Sequence, residues 1–314
     1  MTNSPFTLSP VGIWTEALDF VPASQAVELA AELEELGYGA IWLPEIAGRD
    51  PFVHLALLLS GTRTIVGATG IANIWARDAV AMVEASKTLT EAFPERTLIG
   101  LGVSHRHLVE DLRGHAFTRP VEHMRRYLEA MDASPFTAQR PTTPLRRVLG
   151  ALRPAMLRLA AAMTDGAHPY FMPVEHTAFA REIIGPDRLL CPEQAVLIES
   201  DPGEARRVAR GHMSVYLPLP NYRKALLHMG YQEEDVDGGG SDRLVDALVA
   251  WGTVDQIAER VRAQLDHGAT HVAIQALSDQ RRAVPIDQWR ALAPALREVS
   301  STRSSSGSVG EPNH

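Results

Sequence analysis

The chain has 314 residues, 45% of them hydrophobic and 22% charged, the mix of a globular protein able to bury a sizeable core. Its formal net charge of −8 argues against non-specific binding to nucleic acid or to an anionic membrane, while leaving room for a local anion site. Cys191 is the only cysteine, Met1 to Pro10 lacks the basic start and apolar run of a signal peptide, and no apolar stretch approaches the ~18 residues of a membrane span, so a cytoplasmic protein without an internal disulfide is expected.

Along the chain, short apolar runs alternate with helical patterns. Val11 to Trp14 is the first run; the segment opening at Pro22 then carries Val27, Ala30, Leu33 and Leu36 on one helical face and stops at Gly37. Ala40 to Leu43 is the second run and ends in Pro44-Glu45; Thr64 to Ile71 is the third. Asp78 can cap a helix bearing Met82, Val83, Ser86 and Leu89. Leu98 to Val103 is the fourth strand-like run, before a helix from about Pro120 to Met131. Val148 to Leu152, a helical stretch from Met156 to Met163, and a weaker run from Asp165 to Phe171 follow. Ala195 to Glu199 reads as a strand, Asp201-Pro202-Gly203-Glu204 as a helix start, and Thr253 with Gln256 as a capping box before a helix that stops at Gly268. His271 to Leu277 closes the series.

About eight such alternations predict an α/β fold with a parallel sheet, closed at this length into one (β/α)8 barrel over residues 1–300, with a doubly wound open sheet as the rival. Tyr216 to Ser241, with its prolines and the Gly238-Gly239-Gly240 run, breaks the rhythm and predicts an insertion before the last strand that covers a site or packs as extra helices. Residues 301–314, rich in Ser and Gly, are expected to form a disordered tail.

A barrel places chemistry at the C-terminal ends of its strands. The candidates there are Glu45, then Gly70 to Asn73, then Ser104 with His105 and His107, then His168 to Met172. Two histidines two residues apart could share a metal, as in a metal-dependent barrel hydrolase, but no matching His/Asp set stands at the other strand ends, and the metal reading is the lesser one. Gly100-x-Gly102 lacks the third glycine of a dinucleotide fingerprint and fits close strand approach better. Glu45 could be a general acid, a base or a solvated charge beside Arg49. Trp14 and Trp42 read as core, and Trp75 as the tryptophan with the best claim to stack on a ligand.

Leu36-Gly37-Tyr38-Gly39-Ala40-Ile41-Trp42-Leu43-Pro44-Glu45 resembles the second-strand signature of luciferase-like oxidoreductases. Ala68 to Asn73 through Arg77-Asp78 is similar to the third strand of that superfamily, Arg96 to Ser104 (RTLIGLGVS) to its fourth, and Thr164-Asp165-Gly166-Ala167-His168-Pro169 to its sixth. Within it the chain most resembles the branch that uses the deazaflavin coenzyme F420, with FMN as the alternative cofactor. The resemblance implies a cofactor across the barrel mouth, contacted by Gly70, Ile71, Asn73, Ser104, His168, Pro169, Tyr170, Phe171 and Met172, and a cis peptide bond between Gly70 and Ile71. Its phosphate is expected at the loop His168 to Met172 and the helix start beyond it, with Arg153 and Arg158 assisting. The usual Asp or His after the second strand is Glu45 here, so Glu45 or His105 is the expected proton carrier. The expected activity is hydride transfer between coenzyme F420 and a small organic substrate, in a homodimer without a bound metal. The alternatives are an FMN-dependent monooxygenase, a metal-dependent barrel hydrolase, and a flavin-binding relative without turnover.

Overall fold

The structure, a computed structural model, describes residue 6, residues 8–280 and residues 282–306. Eight barrel strands follow one another: β1 (Val11–Trp14), β2 (Ala40–Leu43), β3 (Val66–Thr69), β4 (Thr97–Gly102), β5 (Arg147–Leu149), β6 (Gly166–Ala167), β7 (Glu193–Ile198) and β8 (Val272–Ala276). Each pairs in parallel with the next from β1 to β6. The ring closes because β6 pairs with the short strand Leu189–Leu190, which runs through Cys191-Pro192 into β7, while β7 pairs with β8 and β8 with β1. The expected barrel is therefore the observed one.

Every residue of β1, β2, β3 and β4 is buried, because helices cover the outer face of the sheet and side chains fill the inner one. Inside the ring Trp42 belongs to one apolar cluster with Trp14, Leu98, Val148 and Ala273. Trp42 Nε1 donates to His271 Nε2 at 2.9 Å, so the largest interior side chain is packed and also hydrogen-bonded.

Local signals work as expected at several helix starts. The Asp78 carboxylate accepts from Ala81 N, Asp201 accepts from Glu204 N, and Thr253 and Gln256 exchange both bonds of a capping box. Asp50 caps a further helix, Pro51–Ser60, that periodicity did not separate from the loop after β2. Thr253→Ala should cost about 1 kcal/mol, read as a lower urea midpoint at unchanged slope; an unchanged midpoint would count against the box.

The insertion lies between β7 and β8 and is larger than Tyr216–Ser241. It brings the helices Pro220–His228, Glu233–Val236 and Asp242–Leu248 and an extra strand, Val249–Gly252, paired to the C-terminal half of β7. The insertion has its own apolar cluster, built around Met213, Leu226, Leu244 and Leu248. The last helix runs Ile286–Ser306, carrying the chain into the segment expected as a tail; residues 307–314 lie outside the described residues. Among the described residues no helix is long and apolar enough to cross a membrane.

Candidate functional site

A cavity of about 280 Å³ opens at the C-terminal ends of the barrel strands. Trp14 ends β1, Gly70 and Ile71 follow β3, Gly102 ends β4, Gly150 follows β5 and His168 follows β6, and all of them line it. The insertion supplies the opposite wall through Tyr216, Leu219 and Tyr222. Such a mouth, mostly apolar with a few convergent polar groups, has the composition of a small-molecule site.

The peptide bond between Gly70 and Ile71 is cis, as the resemblance implied. The Ile71 side chain lies over the neighbouring strand ends: a Cβ on Gly102 would sit 2.4 Å from Ile71 Cδ1, and one on Gly150 3.3 Å from its Cγ2. A Cβ on Gly100 would meet Thr69 O at 2.0 Å. The β4 glycines thus serve close approach rather than phosphate binding.

His168 is 1% exposed and stacks on Trp42 with ring centroids 4.4 Å apart. Its Nδ1 lies 2.6 Å from Cys191 O, and burial pushes its pKa down to about 4. Its Nε2 has no hydrogen-bond partner among the described residues. Tyr170 continues the wall: its hydroxyl lies 2.8 Å from both Tyr216 Oη and Gln275 Oε1, so it accepts from the first while donating to the second. Tyr170, Phe171, Tyr216 and Tyr222 pack with centroids 5.0 to 6.2 Å apart, which pins the insertion over the loop after β6.

Both expected proton carriers reach the cavity, in different states. Glu45 makes a bidentate pair with Arg77 at 2.7 and 2.8 Å, and its Oε2 also accepts from Asn73 N at 2.7 Å. Its oxygens are thereby committed to holding the loop after β3. Arg49, its expected neighbour, instead donates to Leu18 O and Val21 O. His105 stands at the start of the short helix Arg106–Glu110, and its pKa is pushed down to about 4 by burial and by His107, against a hydrogen bond to the Asn221 side chain that favours the protonated ring. It is therefore a neutral imidazole at ordinary pH.

Of the expected cofactor contacts, Gly70, Ile71, Ser104, His168 and Tyr170 line the cavity. Asn73, Pro169, Phe171 and Met172 stand elsewhere. Asn73 is 1% exposed and spends Oδ1 on Trp75 N. Phe171 and Met172 are buried in the core of the insertion, and Phe171 N donates to Glu193 Oε2. The helix start expected to hold a phosphate, Val174 onward, carries Glu175 in its first turn, a like charge. The tryptophans exchange roles: Trp75 stacks on His123 at 3.9 Å and bonds Val103 O, outside the cavity, while Trp14 lines it. His105 and His107 lie with parallel rings 6.1 Å apart, and among the described residues no group of three or more His, Cys, Asp or Glu could hold a metal ion.

Comparisons with known proteins identify the family. Residues 2–271 match the family model described as luciferase-like monooxygenase. The chain belongs to that family. A Mycobacterium tuberculosis protein provisionally named as a coenzyme F420-dependent oxidoreductase is 23% identical, over 83% of this chain and 93% of its own. Among solved structures, an F420-dependent secondary alcohol dehydrogenase in complex with an F420–acetone adduct superposes with a TM-score of 0.72 at 13% identity, covering 93% of this chain and 100% of that one. The FMN-bound oxygenating component of 3,6-diketocamphane monooxygenase of Pseudomonas putida gives 0.70 at 15% identity, over 93% and 98%. At these identities the structural likenesses speak for the fold. The proteins that the chain resembles thus include some named for coenzyme F420 and one solved with FMN.

Proposed function

We propose that this luciferase-like protein is a coenzyme F420-dependent oxidoreductase that transfers a hydride between the deazaflavin and a small organic substrate. The carrying observation is the cavity at the strand ends. It combines apolar walls, a glycine at position 70 where any Cβ would intrude on Trp14 and His168, and a few polar side chains, among them Ser104, His105 and Asn221. A flat ring with one hydrogen-bonding edge fits these features. Trp14, Ile71, His168 and Tyr170 would hold it.

The deazaflavin, when bound, supplies a two-electron hydride couple, and the protein supplies orientation, exclusion of water and a proton carrier. His105 is the better of the two carriers. A neutral ring can accept the proton that a substrate O–H or N–H gives up as its neighbouring C–H is oxidised, whereas the Glu45 oxygens are already engaged by Arg77 and Asn73. Glu45 positions the wall. The second reading is an FMN-dependent monooxygenase, favoured by the family description and by the FMN-bound neighbour.

Titration of the protein with coenzyme F420 and with FMN at equal salt decides between them. The ring systems are alike in size, so preference arises from matched polar groups at about 1–3 kcal/mol each, and F420 should bind about tenfold tighter or better, with no oxygen consumed on turnover. Tighter FMN binding with oxygen uptake on adding substrate would move the assignment to the monooxygenase.

A further inference from the structure

The wall of the cavity offers a ligand no free charge. Among the described residues that line it, none is a lysine or an arginine. Glu45 is the one carboxylate there, and its oxygens are taken by Arg77 and by Asn73 N. Arg77, Arg106 and Arg113 stand outside the lining, where Arg77 bonds Glu45 and Asp50, Arg106 bonds Glu110, and Arg113 donates to Ile46 O. Of the lining histidines, His105 is neutral at ordinary pH, His168 is buried, and His107 stands at the exposed edge. The rest is largely apolar out to the rim. Leu108, Leu152 and Leu219 line it, and so do Ile46 and Val215, which are 42% and 46% exposed.

A charged group entering such a mouth gives up hydration and meets no counter-ion. A carboxylate or phosphate finds no open cation, and an ammonium group finds Glu45 already paired with Arg77. Amines are protonated at neutral pH, so of the O–H and N–H donors that His105 could serve, the wall favours the O–H. The volume of about 280 Å³ lies at the lower end of ligand pockets and is shared with the cofactor ring, which keeps the substrate small. We propose that the substrate is a small uncharged alcohol, or the carbonyl compound it becomes, and that the charge-free wall refuses hydroxy acids and amino alcohols. This inference rests on the proposed hydride transfer and deepens it. In the oxidation the C–H bond at the hydroxyl-bearing carbon breaks, and its hydrogen leaves with the electron pair to the deazaflavin. The O–H proton passes to the His105 ring, and the C–O bond becomes C=O.

The test uses the full chain loaded with coenzyme F420 and three alcohols on one four-carbon frame: 2-butanol, 3-hydroxybutyrate and 4-amino-2-butanol. The value of kcat/KM, followed through the visible absorbance of the coenzyme, should be about a hundredfold higher or better for 2-butanol than for either charged alcohol. Val215→Arg sets a cation at the exposed rim, and there 3-hydroxybutyrate should gain about tenfold while 2-butanol stays within about threefold. A second readout needs no turnover: 2-butanone should perturb the absorbance of the bound coenzyme at concentrations where acetoacetate leaves it unchanged. Equal kcat/KM values, preference for a charged alcohol, or an unchanged ratio in Val215→Arg overturns the uncharged class and leaves the F420 assignment standing. So does a bound coenzyme that none of these compounds reduces or perturbs. Failure of coenzyme F420 to bind overturns both.

Discussion

The protein should be most stable near pH 7 and should lose about 4 kcal/mol for each pH unit between pH 6 and pH 4.5. Burial pushes the pKa of His105, His168, His176 and His271 down to about 4 in the folded chain. The neutral rings of the last three bond Cys191 O, Leu152 O and Ser9 O. Unfolded, each of the four would take up a proton near pH 6.5. Between those values the unfolded chain binds more protons, so stability falls as the pH falls. Glu193 opposes them: burial pushes its carboxyl up to about 8, so between about 4.5 and 8 the folded chain binds the extra proton and stability falls as the pH rises. Below pH 6 the balance is a net uptake of about three protons on unfolding, which sets the slope; above pH 7 Glu193 dominates, and stability declines more gently. Urea unfolding at intervals from pH 4.5 to 8.5 measures this profile. A flat stability between pH 6 and 4.5 would mean that the four rings are not held neutral by burial.

The second large effect is expected at the pair Glu45–Arg77. Their side chains are 9% and 12% exposed, so both charges are largely withdrawn from water and compensate one another. Arg77→Met should destabilise the protein by about 3–5 kcal/mol, because it leaves the Glu45 carboxylate desolvated beside the cavity. The double variant Glu45→Met with Arg77→Met should recover most of that loss, since removing both charges also removes the cost of burying either. The partner Asp50 changes this little, being half exposed. Unfolding midpoints of the two single variants and the double variant complete the cycle. A loss below 1 kcal/mol for Arg77→Met would show that the pair is solvated and does not set the wall of the site.

Much of this fold is written locally. β1 and β2 are four-residue apolar runs closed by polar or proline residues, and the Asp78, Asp201 and Thr253 caps depend on atoms three residues apart. Such signals survive in a linear reading because the chain segment that carries them also satisfies them. The strand Val249–Gly252 escaped that reading because its partner, the C-terminal half of β7, lies about fifty residues earlier in the chain. The segments around Glu45, Gly70, Ser104 and His168 were legible as strand ends and did reach one cavity. What each does there was not. Glu45 became half of an ion pair because Arg77 folds back on it, and Trp14 took the wall place expected of Trp75 because the β1 end meets Gly70, 56 residues further on. Whether a histidine is charged, and which of its nitrogens is hydrogen-bonded, depends on carbonyls and rings brought up from other strands, as with His168 against Cys191 O and Trp42. Residue types and periodicity determined the barrel and the end of it that carries the cavity. Tertiary packing decided protonation, tautomer and hydrogen-bond partner, because those are set by the burial and neighbours that only the closed barrel supplies.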